Sequence, residues 1–352
     1  MSQVTKAPKV SVLMPVYNGA RYLREAVDSI LGQSFTDFEF IIVDDGSTDE
    51  TPSILDAYTD PRIIRVTNSS NMGLIHSLNR GLKIAQGTYV ARMDADDISL
   101  PTRLEKQVEF LEQHPDIGIL GSSIERINML GQTIQAPNNI WRFPSQPKVI
   151  AWHLLFHCCV MHPSIMVRRT VYKQLEGYRR EFLHAEDYEL LLRACLNTKM
   201  ANLSDVYLKY RKHSQSVSHT FKQTQIKNSL RAQRKAMETL LTSEVPTVLV
   251  HMLSNHYPYR PPAPTSQHYQ SGANLLAQLY HIYVDSTTLS KQEKVKIQDD
   301  VLSKLLKLSR RCRRIAPMDS LKIWKKGMMI FPERRWRFFI LFIKALAHRL
   351  VS

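Results

Sequence analysis

Cysteine is scarce in this sequence, and long uninterrupted apolar runs are missing. The four cysteines, Cys158, Cys159, Cys195 and Cys312, form no CxxC pair and have no regular spacing, so neither a disulfide framework nor a zinc ribbon is indicated. No apolar run reaches the roughly 18 residues of a transmembrane helix. The first ten residues, MSQVTKAPKV, lack the apolar core of a signal peptide. These absences predict a protein of the reducing cytoplasm.

Excess charge is missing from most of the chain, although the net charge is +15. Residues 304–352 contain 14 Lys and Arg against two acids, which gives +12, so residues 1–303 contain 33 against 30, or +3. The nearly neutral body shows no platform of interleaved aromatic and basic residues, which argues against a nucleic-acid partner. With 43% hydrophobic and 22% charged residues, the composition is that of a soluble globular protein.

Apolar runs alternate with amphipathic stretches over the first 130 residues. Residues 9–17, 38–43 and 62–66 and the run that begins at Tyr89 are typical of buried strands. The stretches between them have apolar residues at helical spacing, as in Leu23, Ala26, Val27 and Ile30. This alternation predicts parallel βαβ units, which bind ligands in a crevice at the carboxyl ends of the strands.

Polar or turn-forming residues follow each of these four strands. Any one group is ordinary turn chemistry, but the carboxyl ends of parallel strands meet at one edge of a sheet. Four such groups together therefore indicate a ligand site. The groups are Pro15, Tyr17 and Asn18 after the first strand, Asp44 and Asp45 after the second, Asn71 and Gly73 after the third, and Asp94 after the fourth.

The fourth strand leads into three carboxylates, Asp94, Asp96 and Asp97, and a helical pattern opens at Pro101. Three carboxylates within four residues repel one another unless water or a cation neutralises them. Hard oxygen ligands suit Mg²⁺ or Mn²⁺ held against substrate phosphates. Ordinary loop and helix-capping chemistry is the alternative explanation of the same residues.

Four motifs, in order and at matching spacing, resemble the nucleotide-sugar-binding half of glycosyltransferase family 2. They are VSVLMPVYNG at 10–19, IVDDGSTD at 42–49, Asn-Met-Gly at 71–73 and MDADD at 93–97. A dinucleotide-binding domain would instead need GxGxxG after the first strand, where Tyr-Asn-Gly-Ala stands. The resemblance spans residues 9–215 and implies an α/β protein of the GT-A type, with a Rossmann-like, mostly parallel sheet flanked by helices.

The resemblance also implies how the chain is divided. Residues 1–130 would form the nucleotide-sugar-binding half, and residues 131–220 the acceptor-binding half that contains the catalytic base. Residues 221–352 would form a helical, basic C-terminal appendage, because family resemblance fades there while apolar residues keep helical spacing.

The resemblance assigns roles at the sheet edge. Asp96, with Asp94 and His213, would hold Mn²⁺ or Mg²⁺. Asp45 would accept a hydrogen bond from the base, expected to be uracil, while Tyr17 would cover that ring. Pro15 would present backbone to the ring, and Asp44 and Asp94 would contact the ribose or the sugar. The whole nucleotide-sugar-binding set would be Pro15, Tyr17, Asn18, Asp44, Asp45, Asn71, Gly73 and Asp94.

Glu186 and Asp187 look like the family's catalytic pair, in which the aspartate is the general base. A simple helix cap is the alternative for Asp187. The helix that begins there is expected to have one apolar face, formed by Tyr188, Leu191, Leu192, Cys195 and Leu196.

The run WHLLFHCCVMHP at residues 152–163 resembles the family's approach to an acceptor-side strand, with His162 on the acceptor side. Its histidines and cysteines could alternatively indicate a zinc-binding site. Adjacent cysteines are awkward co-ligands, however, and the flanking apolar residues favour a buried wall.

The implied activity is transfer of a sugar, with inversion, from a nucleoside-diphosphate sugar, expected to be UDP-linked. The acceptor would be a hydroxyl of a glycan or a lipid-linked molecule in bacterial surface polysaccharide synthesis. One base without a second nucleophilic carboxylate implies inversion. A nucleotidyltransferase, or a non-catalytic nucleotide-binding partner, is the alternative.

The basic C-terminal end has five cations around the apolar segment 338–343. This segment is too short to span a bilayer, but it suits a helix that lies in an anionic membrane interface. The pattern predicts a peripheral protein at the inner face of the cell membrane. A terminal helix packed on its own domain or on a second subunit is the alternative, so an oligomer is possible. The cations are Arg334, Arg335, Arg337, Lys344 and Arg349.

Overall fold

The computed structural model describes residues 7–135, 139–214, 216, 220–254 and 264–332. These residues form two compact units. The first comprises the described residues up to Ala151 together with Cys158–Ser229, and the second comprises Trp152–His157 and the described residues from Leu230 onward. The short segment Trp152–His157 therefore belongs to a different unit from the residues on either side of it.

The described part of the first unit contains a mixed sheet of nine strands. The strands are β1 (Val10–Val16), β2 (Phe38–Asp44), β3 (Ile63–Thr67), β4 (Tyr89–Arg92), β5 (Ile98–Ser99), β6 (Ile117–Ile127), β7 (Ile140–Trp141), β8 (Met166–Arg168) and β9 (Lys199–Arg211). Their order is β3-β2-β1-β4-β8-β6-β9-β5, with β7 paired to β6. The first four strands are parallel, as are β6 and β9, whereas β8 is antiparallel to both of its neighbours.

The helices between these strands confirm the expected βαβ units. Helix α1 (Ala20–Leu31) buries Tyr22, Leu23, Ala26, Val27 and Ile30, which lie on one face because their spacing follows the helical repeat. The helices of this part are α1 (Ala20–Leu31), α2 (Thr51–Asp56), α3 (Leu74–Ile84), α4 (Arg103–Gln113), α5 (Pro147–Leu154), α6 (Arg169–Gln174) and α7 (Glu186–Ala194).

The core of the first unit lies on the two faces of β1, β2 and β4. Every residue of these three strands is buried, as expected of parallel strands covered by helices on both sides. The register aligns Val16 with Asp44 and Leu13 with Arg92. The residues that follow β1, β2 and β4 are therefore held at one edge of the sheet.

The predicted face of α7 was wrong at its last position. The helix ends at Ala194, and Leu196 is 67% exposed. The amides of Asn197 and Thr198 both donate to the carbonyl of Ala194, which turns the chain toward β9. A local turn, which the apolar spacing does not reveal, thus removes Leu196 from the helix.

The second unit is helical, which confirms the C-terminal helices. Helices α10 (Ser266–Ser286) and α11 (Lys291–Cys312) each begin with a capping box, at Thr265 and Ser290 respectively. The apolar residues expected on their inner faces, such as Leu276, Leu279 and Val301, are buried. The C-terminal helices are α8 (Lys222–Leu241), α9 (Thr247–Leu253), α10 (Ser266–Ser286), α11 (Lys291–Cys312) and α12 (Pro317–Ile330).

Trp152 is fully buried within the second unit. Its indole Nε1 donates to Asp300 Oδ2 at 2.7 Å, and Lys304 Nζ lies 2.6 Å from Asp300 Oδ1. The ring packs against Phe156 and Tyr283, with centroids 5.1 and 5.4 Å away. The segment Trp152–His157 thus supplies part of the core of the helical unit.

The expected interfacial helix at residues 334–349 lies outside the described residues. Within the ranges that the structure does describe, none of the helices has the length and apolar character needed to cross a bilayer.

Candidate active site

The loops after β1 and β2 are joined by Asn18. Its backbone has a positive φ of 48°, which asparagine tolerates better than most residues. The side-chain Oδ1 accepts from the Thr48 amide at 2.8 Å, and the Asn18 amide donates to Ser47 Oγ at 3.0 Å. Tyr17, directly before it, is 46% exposed. Two of the predicted nucleotide-sugar-binding segments therefore form one fixed surface with an open aromatic ring.

The loop after β3 is held by Asp45. Its carboxylate accepts from the amide of Met72 at 2.9 Å and from that of Gly73 at 2.8 Å, as well as from Asn68 Nδ2. Asn71 Oδ1 also accepts from the Gly73 amide, at 3.1 Å. Gly73 has a φ of 89°, which glycine adopts without steric cost. Asp45 is 4% exposed, and its hydrogen bonds fix the shape of the loop after β3.

Asp44 is fully buried at the end of β2. Its Oδ1 accepts from the Ser47 amide at 3.0 Å, while Oδ2 lies 3.8 Å from Arg65 Nη2 and has no hydrogen-bond partner among the described residues. Pro15 is also buried, within β1. Asp44 thus fixes the turn that contains Asp45, and it retains one open acceptor.

Asp94, Asp96 and Asp97 converge after β4. Each offers one carboxylate oxygen, and these oxygens all lie within 4.8 Å of one another. Asp96 Oδ2 also lies 2.8 Å from His213 Nε2. The predicted metal residues Asp94, Asp96 and His213 are therefore neighbours, although 117 positions separate Asp96 from His213.

Arg211 fixes this cluster to the end of β9. Its amide donates to Asp97 Oδ1 at 2.8 Å, and its Nε donates to the carbonyl of Asp96 at 2.7 Å. The guanidinium, 1% exposed, also pairs with Glu25 and lies over the ring of Tyr22, 4.5 Å from its centroid. Because Arg211 holds the backbone of the acidic loop, it also places His213 two residues further on.

The donor set fits a hard divalent cation. Asp94, Asp96 and Asp97 offer carboxylate oxygens within 4.8 Å of one another, and His213 Nε2 lies beside Asp96 Oδ2. Asp97 Oδ2, on a side chain that is 1% exposed, has no hydrogen-bond partner in the described part of the chain. These residues can hold Mn²⁺ or Mg²⁺, since both prefer carboxylate oxygens.

Asp187 is the second residue of α7, as predicted. Its Oδ1 accepts from the Tyr188 amide at 2.7 Å, and a helix N-terminus favours a negative charge. Burial nevertheless raises the pKa of Asp187 above its usual value, and the charge of Asp94 raises it further. Asp187 is therefore near enough to the acidic cluster to interact with it electrostatically.

Glu186 is buried beside Asp187, with 5% of its surface exposed. Burial, reinforced by the charge of Asp187, raises its pKa to about 7. Its Oε2 has no hydrogen-bond partner among the described residues. Burial thus raises the pKa of both neighbouring carboxyl groups, and that of Glu186 reaches the neutral range.

Arg92 links the acidic cluster electrostatically to Asp187 at the start of α7. The guanidinium is 2% exposed, and its Nη1 forms an ion pair with Asp94. Its charge lowers the pKa of Asp187 and also that of His162. Arg92 was not predicted as a site residue, although a charged residue at the end of an apolar strand, just before the acidic loop, is a recognisable signal in the sequence.

His162, predicted on the acceptor side, is 8% exposed and begins the short turn His162–Ser164 before β8. Its Nε2 is 2.8 Å from Tyr178 Oη, which lies 2.9 Å from Tyr172 Oη. Burial, followed by the charge of Arg92, places the pKa of His162 well below its usual range. His162 is therefore a neutral, hydrogen-bonded side chain, and Tyr178 is a partner that no local sequence pattern indicated.

The fold and this acidic crevice define a glycosyltransferase that uses nucleotide-sugar donors. The sequence model of Glycosyl transferase family 2 matches residues 11–175. The O-antigen biosynthesis glycosyltransferase WbnJ of Escherichia coli is 34% identical over 212 residues, which cover 59% of this chain and 81% of that relative. This chain belongs to glycosyl transferase family 2.

Two solved structures share the fold. S. aureus TarS 1–349 in complex with UDP has a TM-score of 0.54 and 20% identity, covering 87% of this chain and 91% of that one. The mannosyltransferase PcManGT from Pyrobaculum calidifontis, in complex with GDP-Man and Mn²⁺, has a TM-score of 0.50 and 17% identity, covering 94% of this chain and 88% of that one. The expected GT-A architecture, a mostly parallel sheet flanked by helices, is thereby confirmed.

Proposed function

We propose that this enzyme transfers a sugar, with inversion, from a UDP-sugar to a hydroxyl group of a glycan or lipid-linked acceptor. The observation that carries the proposal is the electrostatic link from the acidic loop through Arg92 to Asp187. Asp94 forms an ion pair with Arg92, and both charges act on the pKa of Asp187. These interactions support a cation site in the acidic loop with Asp187 near enough to serve as base.

Asp96, Asp94 and His213 would hold the cation, Mn²⁺ or Mg²⁺. A divalent ion bound there supplies positive charge to the diphosphate of the donor. The three carboxylate oxygens within 4.8 Å support this assignment, as does the Mn²⁺ in the structure of PcManGT. Arg211 would act as a positioning residue, because it fixes the backbone of Asp96 and the carboxylate of Asp97.

Asp187 would be the general base. The acceptor oxygen forms a bond to the anomeric carbon while the bond from that carbon to the diphosphate oxygen breaks, and the nucleoside diphosphate leaves with the electron pair. The hydroxyl proton passes to the carboxylate of Asp187. A single displacement inverts the anomeric configuration, so an α-linked donor gives a β-linked product. Glu186, whose pKa of about 7 is raised by burial and by the charge of Asp187, would lie beside the base at the start of α7.

The donor nucleotide would lie against the loops after β1, β2 and β3. Tyr17 would cover the uracil, Pro15 would contribute backbone, and Asp45 would accept from the ring. The exposed ring of Tyr17 supports this placement, and so does the UDP in the related TarS structure. Asn18, Asp44, Asn71 and Gly73 would shape the surface, while Asp44 or Asp94 would contact the ribose or the sugar.

The proposed setting is bacterial surface polysaccharide synthesis at the inner face of the cell membrane. WbnJ, the relative named for O-antigen biosynthesis, supports the pathway, and the basic residues of segment 334–349 support an anionic membrane surface. In this scheme residues 1–130 bind the donor, residues 131–220, including His162, bind the acceptor, and residues 221–352 form the appendage.

A donor screen tests the proposal. Release of nucleoside diphosphate is measured with UDP-, GDP- and dTDP-sugars, with Mn²⁺, Mg²⁺ or EDTA, and with glycan or lipid-linked acceptors. We expect release with a UDP-sugar that requires the metal and disappears in Asp187→Asn. Tight nucleotide binding without turnover for any donor would favour a non-catalytic partner. Pyrophosphate release from a nucleoside triphosphate and a sugar phosphate would favour a nucleotidyltransferase.

A further inference from the structure

A second groove of the first unit lies between α3 and the segment from Arg169 to Arg180. Its volume is about 950 Å³, which is large enough for a small-molecule ligand. None of the donor-loop or acidic-cluster residues described above lines it. The lining residues include His76, Asn79 and Arg80 on one wall and Arg169, Tyr172 and Arg180 on the other.

The groove concentrates positive charge. Five cations line it, Arg80, Lys83, Arg169, Lys173 and Arg180, against the single acid Glu176, which gives +4. Residues 1–303 as a whole carry only +3. The other residues of 1–303 therefore carry a net charge of 3 − 4, or −1. The positive excess of that part of the chain is thus concentrated in the groove.

Lys83, Lys173 and Arg180 are exposed and belong to no ion pair within the described residues. The guanidiniums of Arg80 and Arg169 are anchored by backbone carbonyls, since Arg80 Nη1 donates to Thr67 O and Arg169 Nε donates to Gly87 O, both at 2.8 Å. Each guanidinium has five N–H donors. These bonds use only some of the donors and leave further N–H groups on each guanidinium.

The two walls of the groove are held at a fixed distance. Asn79 Nδ2 donates to the Tyr178 carbonyl at 2.8 Å, and the Tyr178 amide donates to Asn79 Oδ1 at 2.9 Å. Gly177 has a φ of 75°, and a Cβ there would lie 2.4 Å from Asn79 Oδ1. Only glycine allows this close approach. Tyr172, a buried lining residue, is held through its hydroxyl to that of Tyr178.

We propose that this groove binds a ligand with two or more phosphate groups. A phosphate monoester carries a charge of about −1.5 to −2 near neutral pH, so two such groups carry about −3 to −4, which balances the +4 of the groove. Arginine also binds phosphate oxygens in a bidentate manner. The phosphates belong either to a soluble molecule or to a lipid headgroup. The site is separate from the donor crevice, and its occupation does not depend on the sugar-transfer activity.

Inorganic tripolyphosphate provides the direct probe. Its binding to the full chain is measured by calorimetry at low ionic strength in EDTA, which suppresses metal-dependent diphosphate binding at the acidic loop. The test variant is Lys83→Gln with Lys173→Gln. The matched control is Lys227→Gln with Lys235→Gln, which removes the same charge from two exposed lysines of α8. Arg180→Gln gives an independent second variant, and UDP binding in Mn²⁺ verifies that every variant is folded.

We expect the groove variant to bind tripolyphosphate at least ten times more weakly, and the control to change by less than a factor of two. Equal affinities of the two double variants, or citrate binding as tightly as tripolyphosphate, would overturn the proposal. Flotation separates the two sources when phosphatidylcholine vesicles that contain a phosphatidylinositol bisphosphate are compared with vesicles of equal charge that contain phosphatidylglycerol, since segment 334–349 is expected to bind both. A preference for the bisphosphate lipid that is lost in the groove variant alone assigns a lipid phosphate, whereas no preference, with weakened tripolyphosphate binding in that variant, assigns a soluble one.

Discussion

His213 Nε2 lies 2.8 Å from Asp96 Oδ2. The contact joins the end of the fourth parallel strand to the residues that follow β9, and Arg211 secures the same junction by binding Asp96 and Asp97. The imidazole also packs against Tyr22, with ring centroids 5.3 Å apart. The proposed metal site is thus assembled from three separate parts of the chain.

Asp96→Ala should weaken metal-dependent UDP binding. The substitution removes a hard anionic ligand, and the remaining carboxylates hold the cation less tightly, so we expect a loss of about tenfold or more in Mn²⁺. His213→Ala should cause a smaller loss in the same direction. Calorimetric titration with UDP, in Mn²⁺ and in EDTA, measures both effects. Asp205→Ala, an exposed position on β9, is the control, and wild-type affinity of Asp96→Ala would contradict the assignment.

Asp187→Asn should abolish transfer and retain nucleotide binding. The amide keeps the shape of the side chain but cannot accept the proton, and loss of a general base typically costs about 10²- to 10⁴-fold in rate. Single-turnover transfer assays and UDP titrations measure the two properties separately. A tenfold weaker UDP affinity in this variant, with Asp205→Asn unaffected, would argue against the role of base.

The acid limb of the pH–rate profile should move when Arg92 is replaced. Asp187 must be ionised to act as base, so kcat/KM falls as the pH decreases through its pKa, which burial raises above the usual value. The charge of Arg92 lowers that pKa. Arg92→Gln should therefore shift the limb to higher pH. A limb at unchanged or lower pH in this variant would show that Asp187 does not control the profile.

Glu186 should make the enzyme less stable as the pH rises. Its pKa is about 7 in the folded protein, against an ordinary value of 4.5, so the folded state favours the protonated acid. The penalty is absent below pH 4.5 and complete above pH 7, with a magnitude of about 3 kcal/mol. Urea denaturation at pH 5 and pH 8 should show a larger decline in the wild type than in Glu186→Gln, where Asp187, whose pKa burial also raises, still contributes. Parallel declines in both proteins would rule it out.

Removal of residues 333–352 should reduce binding to anionic vesicles. This segment contains Arg334, Arg335 and Arg337 beside an apolar stretch, and basic residues near an anionic surface contribute about 1 kcal/mol each. Flotation of the full and shortened chains with vesicles containing phosphatidylglycerol measures the effect. Equal flotation would instead favour a terminal helix packed on protein.

The sheet edge could be predicted from sequence because its determinants are local. Buried parallel strands appear as apolar runs, and the residues after them, such as Asn18, Asp45 and Asp94, must meet at one edge once the strands pair. The position of Asp187 at a helix start could be predicted because a family motif and a helical apolar pattern begin at the same residues.

The supports of the site could not be predicted in the same way. Arg211 bonds to Asp96 across 115 positions, and Tyr178 pairs with His162 through a loop between two short elements. These contacts depend on the pairing of β6 with β9, which are distant in sequence, and on turns. Turns have no periodic apolar pattern from which their contacts could be predicted. Leu196 shows the same limit at a helix end, where hydrogen bonds to Ala194 override the expected spacing.

The insertion of Trp152–His157 into the helical unit constrains how this protein can be divided. The chain enters that unit at Trp152, leaves it after His157, and returns at Leu230. Deletion of the chain after about residue 220 would expose Trp152 and Phe156, which are both fully buried. Aromatic side chains of this kind bury about 150–250 Å² each. The transferase fold therefore cannot be isolated with a single C-terminal deletion, and the shortened protein would aggregate unless both rings were replaced by polar residues.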